Sequence, residues 1–286
     1  MLGFLSGLGN VRGGRSGWNR RRSSVRSSVE YDAICDVSVK SAKGGEERRV
    51  GDLWDVRSDQ KAAVVFLTHF GDFTSWELGQ QISQKISIFD EKDIPVICIG
   101  LGSVDNAQKY SQLLSINKSL VFADEPGNCH TALGFSKGFA PDADVNAYVK
   151  LLPMLAGIGS PGTIQEVLRG YTGDRRAKPI FTSPNLFDVL GTGFQRPFEL
   201  ATLRLGNMRS ILQNWDELKP KETEQLTWQG GAIVFQGENV IFKHVDTGIL
   251  TYADVDKMLK AAASFTGRND TGDGGVIEAA AVSTEP

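Results

Sequence analysis

Three cysteines and one short turn rich in carboxylate, hydroxyl and imidazole groups are the places where this chain could do chemistry. Cys129 is followed by His130, and Asn128 begins a short predicted helix through Leu133. A helix N-terminus and an adjacent imidazole both lower a thiol pKa, so Cys129 is a candidate redox thiol, resolving or sensing. Neighbouring residues rarely aim two ligands at one ion, so Cys129 and His130 are not expected to hold a metal. Cys98 lies among Ile94, Val96, Ile97 and Ile99 and reads as a buried small hydrophobe. Cys35 sits in an expected edge strand near the N-terminus and is given little weight. Three cysteines cannot make a disulfide scaffold or a four-thiolate metal site. The turn runs Thr68-His69-Phe70-Gly71-Asp72-Phe73-Thr74-Ser75-Trp76-Glu77. There Asp72 suits the position beside a helix N-terminus and Ser75 the first helical turn. A metal or acid–base cluster of Asp72, His69 and Glu77 is the alternative, and the simpler structural reading is preferred.

The elements that must position these groups follow from periodicity. ICDVSV at 34–39 alternates like an edge-type strand. AAVVFLTHF at 62–70 is a continuous apolar run expected to be buried on both faces. After the turn, Trp76, Ile82, Ile86 and Phe89 fall at helical spacing, and Thr74 with Glu77 reads as a capping box. IPVICIG at 94–100 is a second buried strand, Ser103 can cap a helix over 104–115, and SLVFAD at 119–124 is a third strand. Strands separated by helices imply an α/β protein with a parallel sheet and right-handed crossovers. Towards the end, LTWQGGAIVFQ and VIFKHVD flank Gly237-Glu238-Asn239 as a β-hairpin, and an amphipathic helix follows from Tyr252 to Phe265. A β-α-β half followed by a hairpin and a helix is the thioredoxin order. Gly230-Gly231 would allow close backbone approach beside the turn, Gln229 could reach the same place, and His244 reads as strand-end packing or hydrogen bonding.

Between the halves lies a long helical insertion at about 135–220. Residues 145–168 are apolar with a Pro-Gly break at 161–162, and a helix over 198–215 follows Pro197, placed at its first position. In it Leu200, Leu203, Met208, Ile211, Leu212 and Trp215 outline one face, and Arg204 and Arg209 another. Packing over the sheet is the first reading; docking to a protein complex or a membrane interface is the second.

The ends differ from the body. Residues 1–29 hold six Arg and no acid, against a total of −3 for the chain, which leaves the rest strongly acidic. An Arg- and Ser-rich leader without an apolar core reads as an organelle transit peptide cut between Ser23 and Asp32, or else as a basic arm. Residues 266–286 are Gly-, Asp- and Thr-rich and are expected to be a disordered tail, leaving 33–265 as the folded domain. The acidic body argues against nucleic-acid binding, and no stretch is long and apolar enough to form a transmembrane helix.

HFGDFTSWEL after a buried strand, DEPGNCHTALGF further on, GFQRPFELATLRLGNM and QGGAIVF before a hairpin together resemble the peroxiredoxin-like branch of the alkyl hydroperoxide reductase C/thiol-specific antioxidant (AhpC/TSA) superfamily. The resemblance covers most of 50–262 and implies a thioredoxin-like fold with a central mixed sheet. The family commonly carries HFG-C-x-x-C-x-E at the turn. Here Asp72 and Ser75 stand where the cysteines would be, while His69, Phe70, Gly71 and Glu77 match. Peroxide reduction needs a thiolate that becomes a sulfenic acid and is regenerated by another thiol, which neither Asp72 nor Ser75 can do. The expectation is therefore a pseudoenzyme with no cofactor and no metal, acting by protein binding or as an assembly subunit, with thiol chemistry at Cys129, aided by Cys98, as the alternative. A small-molecule carrier using the cleft over Asp72 is a third reading. The resemblance implies a plastid location, stroma or stromal face of the thylakoid, with a photosynthetic complex among the expected partners; the mitochondrion is the alternative destination.

Overall fold

Residues 61–69 set the architecture. In the computed structural model, which describes residues 27–58 and 60–264 and the backbone of 277–278, they form a central strand, β3 (Lys61–His69). Its alternating side chains divide between two cores: Ala63, Val65 and Leu67 enter one, Ala62, Val64 and Phe66 the other. A strand covered on both sides cannot afford polar alternation, which is why the sequence shows an unbroken apolar run. The preceding elements are α1 (Val29–Ile34), β1 (Ser38–Ser41) and β2 (Glu47–Arg49). Those that follow are α2 (Phe73–Glu91), β4 (Val96–Leu101), α3 (Val104–Leu113), β5 (Val121–Ala123) and α4 (Asn128–Ala132). The insertion holds α5 (Ala147–Leu155), α6 (Thr163–Thr172), α7 (Glu199–Gln213) and α8 (Trp215–Leu218). The chain closes with β6 (Gly231–Gln236), β7 (Asn239–Val245), α9 (Val255–Ser264) and a two-residue strand, β8 (Ile277–Glu278).

The sheet is mixed, in the order β2-β1-β5-β4-β3-β6-β7-β8. β3, β4 and β5 run parallel, and β6 returns antiparallel to β3 and makes a hairpin with β7. This is the thioredoxin order expected from the sequence. α2, α3 and α9 cover one face, where Ile211 and Leu218 of the insertion join the same core; α1 and α4 lie on the other.

Several expectations change. Residues 34–39 are not an edge strand: Ser28 caps α1 by accepting from the Tyr31 amide, Ile34 is the last helical residue, and Cys35 caps the C-terminus. Tyr31 packs edge-on to Trp54 and Phe235, so the body reaches back beyond residue 33. β1 is interior to the sheet, with β2, unforeseen because it reads Glu-Arg-Arg, outside it. The predicted Ser103 cap forms, as a reciprocal capping box with Asn106. The Thr74–Glu77 box does not, because α2 begins two residues earlier, with Asp72 at the N-cap, and both side chains are engaged elsewhere. Pro197 is not the first residue of α7: Phe198 occupies the N-cap with φ of 63°, in a tight loop where the Glu199 carboxylate accepts from the Arg196 amide. The last helix starts at Val255 rather than Tyr252. The leader up to residue 26, and the tail apart from β8, lie outside the described residues.

Gly230 is a position where a side chain cannot exist. A Cβ there would stand 2.0 Å from the carbonyl oxygen of Phe66 in the central strand. Gly230→Ala is expected to cost about 3 kcal/mol, the top of the usual range for overpacking, because backbone rather than a movable side chain must yield. Urea unfolding followed by tryptophan fluorescence would measure it.

Candidate functional site at the β3–α2 turn

Where β3 ends, its parallel register with β4 shifts between Phe66 and His69, and the chain turns into α2. Phe70 fills space that Gly100 leaves open, since a Cβ at Gly100 would lie 2.6 Å from the ring. The Trp76 indole donates to the Phe70 carbonyl at 2.9 Å, clamping the turn from the helix side. Gly71 is roofed by the insertion, with Trp215 and Leu218 directly above its α-carbon. His69 is buried, its ring edge-on to Trp215 at 5.9 Å, and its Nδ1 accepts from the Gly71 amide. Burial lowers the His69 pKa, with Asp72 opposing, so the ring is neutral near pH 7.

Asp72 is the N-cap of α2, yet its carboxylate takes no helix amide. Thr68 Oγ1 donates to Asp72 Oδ2 at 2.6 Å and lies 2.7 Å from Ser75 Oγ. A threonine has one hydroxyl proton, and the carboxylate receives it, so Ser75 donates to Thr68. Asp72 and Ser75 are thus joined through one hydroxyl. Ser75 is fully buried and its carbonyl accepts from the Tyr110 hydroxyl at 2.7 Å. Among the described residues, Ser75 meets no imidazole or amine directly; its side-chain bond is to the Thr68 hydroxyl.

Glu77 does not meet Asp72 or His69. Its buried carboxylate accepts from Arg204 Nε at 2.6 Å and Nη2 at 3.1 Å, and from the Tyr252 hydroxyl at 2.8 Å. Arg204 Nη1 donates onward to the Glu166 carbonyl of α6 at 2.6 Å. Beside this pair, Gln80 and Asn207 exchange two amide hydrogen bonds. Arg204 therefore belongs to the inner face of α7, not to a face shared with the exposed Arg209. The alternative reading, a cluster of His69, Asp72 and Glu77, divides into three separate engagements, and among the described residues no group of three metal-ligating side chains assembles.

The thiols are equally constrained. Cys129 is fully buried in the core on the α1–α4 face, and its amide donates to Asp124 Oδ2 at 2.7 Å. Burial, and then the Asp124 carboxylate, push its thiol far up, the reverse of the lowering expected from the helix start and His130. The helix contributes little because Asp124 already occupies its N-terminal amides. His130 donates from Nε2 to the Leu67 carbonyl at 2.8 Å, and burial lowers its pKa to about 4. Cys98 lies in the opposite core, beside the α2 face, where burial pushes its thiol up to about 12. The sheet separates the two sulfurs. Cys35 is held above its ordinary value by burial and by Asp36 and Asp32. Gln229 spends its amide on the Thr227 carbonyl of its own loop rather than on the turn. His244 closes the loop after β7, with Nε2 bound to the Thr251 carbonyl at 2.7 Å and 3.3 Å from Asp246. Burial disfavours charging His244, but Asp246 outweighs it and its pKa is raised. Thr68, Arg204, Trp215 and Tyr252 complete the site and were not singled out from sequence for it. Only the four-residue step from Thr68 to Asp72 offered a local signal.

A profile of AhpC/TSA antioxidant enzymes matches residues 81–248, more than half of the chain. The chain belongs to the AhpC/TSA family. The matched region begins inside α2, after the turn. Among solved structures, peroxidoxin BcpB from Mycobacterium tuberculosis aligns at 10% identity and TM-score 0.43, over 82% of this chain and 96% of that one. Bacterioferritin comigratory protein from Xanthomonas campestris aligns at 8% identity and TM-score 0.39, over 84% and 97%. No curated protein matches the chain.

Two outcomes follow for this AhpC/TSA protein. Glu77→Gln leaves the Arg204 guanidinium with only the more distant Glu166 carboxylate, at 3.9 Å, as counter-charge and is expected to destabilise by about 3 kcal/mol, whereas Glu77→Leu with Arg204→Met restores most of that loss. Urea titrations of the three variants check it. His130 takes up its proton more readily when unfolded, near pH 6.5, than when folded, near pH 4. Stability is therefore full above about pH 6.5 and falls with acid, by about 3 kcal/mol on reaching pH 4. His130→Gln should flatten that slope in unfolding curves recorded across the window.

Proposed function

We propose that this member of the AhpC/TSA family performs no peroxide chemistry at the β3–α2 turn and works by binding, as a structural or assembly subunit. The observation that carries this is the Ser75–Thr68–Asp72 chain at the expected cysteine positions, with Trp215 and Leu218 packed against the adjoining Gly71. A carboxylate and a hydroxyl cannot form the sulfenic acid on which peroxide turnover depends. The buried, upshifted Cys129 thiol argues against the alternative of a thiol-dependent oxidoreductase. The basic leader supports an organellar destination, which we assign to the plastid, with a partner in a photosynthetic complex. The insertion supplies a binding surface of its own.

Peroxide consumption with a dithiol donor is expected to stay at the uncatalysed rate for the wild type and for Cys129→Ser alike. Thiol-dependent turnover in the wild type that Cys129→Ser abolishes would sink this reading.

A further inference from the structure

The insertion wears its polarity inside out. On α7, Glu199, Arg204 and Asn207 face inward while Leu205, Met208 and Leu212 face outward. On α5, Lys150 is buried against the Pro141 carbonyl while Val149, Leu152 and Leu155 are exposed. On α6, Ile164, Leu168 and Tyr171 form an outward stripe at helical spacing. The exposures are large: 65% for Leu152, 54% for Leu168 and 66% for Leu212. The loop between α6 and α7 adds Leu186 at 91% and Val189 at 90%. Among the described residues, every exposed large apolar side chain except Val29, Ile88 and Val245 lies within residues 145–212. The helices form one layer. Ile164 packs against Gly157 after α5, Gly170 of α6 faces Ala201 and Arg204 of α7, and Tyr171 stands edge-on to Phe198 at 6.3 Å.

Charge selects the occupant. Residues 145–212 carry eight basic and four acidic side chains, a surplus of +4 in a chain whose total is −3. Arg175, Arg176, Lys178 and Arg209 are exposed and make no ion pair among the described residues, Arg175 lying over the Phe194 ring at 5.1 Å. The acids of the segment are spoken for: Glu199 and Asp188 by Arg196, Glu166 by Arg169, and Asp174 by the Arg176 amide. A second copy would set like charge against like charge. Aliphatic stripes bordered by tyrosines and unpaired cations instead fit the interface of an anionic bilayer, which takes apolar side chains below the headgroups and cations among them. We infer that α5, α6 and α7 form a peripheral docking face for an anionic lipid surface. This rests on the reading above that the insertion is a binding surface, and it names the surface's partner.

The full chain would be sedimented with vesicles of phosphatidylcholine, with and without phosphatidylglycerol. Binding is expected to the mixed vesicles, weakening as salt is raised, and at least about tenfold weaker to phosphatidylcholine alone. Leu152→Glu with Leu168→Glu and Leu212→Glu should abolish it, and Arg175→Glu with Arg176→Glu should weaken it about tenfold and reduce its salt dependence. Near-UV circular dichroism would verify the fold of both variants, and the arginine pair, being exposed, tests the idea should the triple variant misfold. Absence of binding to anionic vesicles at low salt would overturn the inference, as would equal binding to neutral ones. So would a salt-stable dimer in sedimentation velocity that the leucine variant dissolves while vesicles capture nothing. Failure with vesicles in a chain that remains inert to peroxide would remove the lipid assignment alone, whereas thiol-dependent turnover would remove the earlier reading.

Discussion

A buried ion pair, Glu77 with Arg204, ties the insertion to the helix that follows the central strand. It joins the first turns of α2 to the middle of α7, and Tyr252 ties the same carboxylate to the segment before α9. Charges this deep are tolerated only when fully engaged, and here five hydrogen bonds converge on the pair and its neighbours. Because Glu77 sits one turn beyond Asp72, fixing it also fixes the turn where the helix begins. The insertion is consequently part of the fold's own framework, and its Trp215 and Leu218 arrive over Gly71 as a result.

The turn places a helix N-terminus, a short glycine-containing bend and a buried imidazole side by side, and it holds no thiol. Asp72 is stabilised by a threonine hydroxyl, Ser75 is consumed in the same chain, and neutral His69 has no proton to accept from either. Cys98 and Cys129 lie buried in the two cores on opposite sides of the sheet.

Much of the fold was legible because it depends on short-range pattern. The apolar runs at 62–70 and 94–100, the Ser103 cap, the hairpin around Gly237 and Asn128 as the start of α4 all express local periodicity or capping. What escaped depends on distant partners. Thr74 and Glu77 have the spacing of a capping box, but Leu250 and Arg204 claim them from remote parts of the chain. Cys129 has the local marks of a reactive thiol, and Asp124, five residues earlier, reverses them. α1 was hidden because Val37 and Val39 continue an alternation that begins inside the helix, and Ser28 rather than the apolar pattern decides where it starts.

One consequence concerns the rotational setting of α7. Judged by hydrophobicity alone, this helix would roll so that Leu205, Met208 and Leu212 turn towards the protein. Two polar grips on α2 prevent it, the guanidinium held by Glu77 and the amide held by Gln80. Separated from α2, the same three-helix segment would lose these two grips, and the pull of its greasy side towards the interior would meet less resistance.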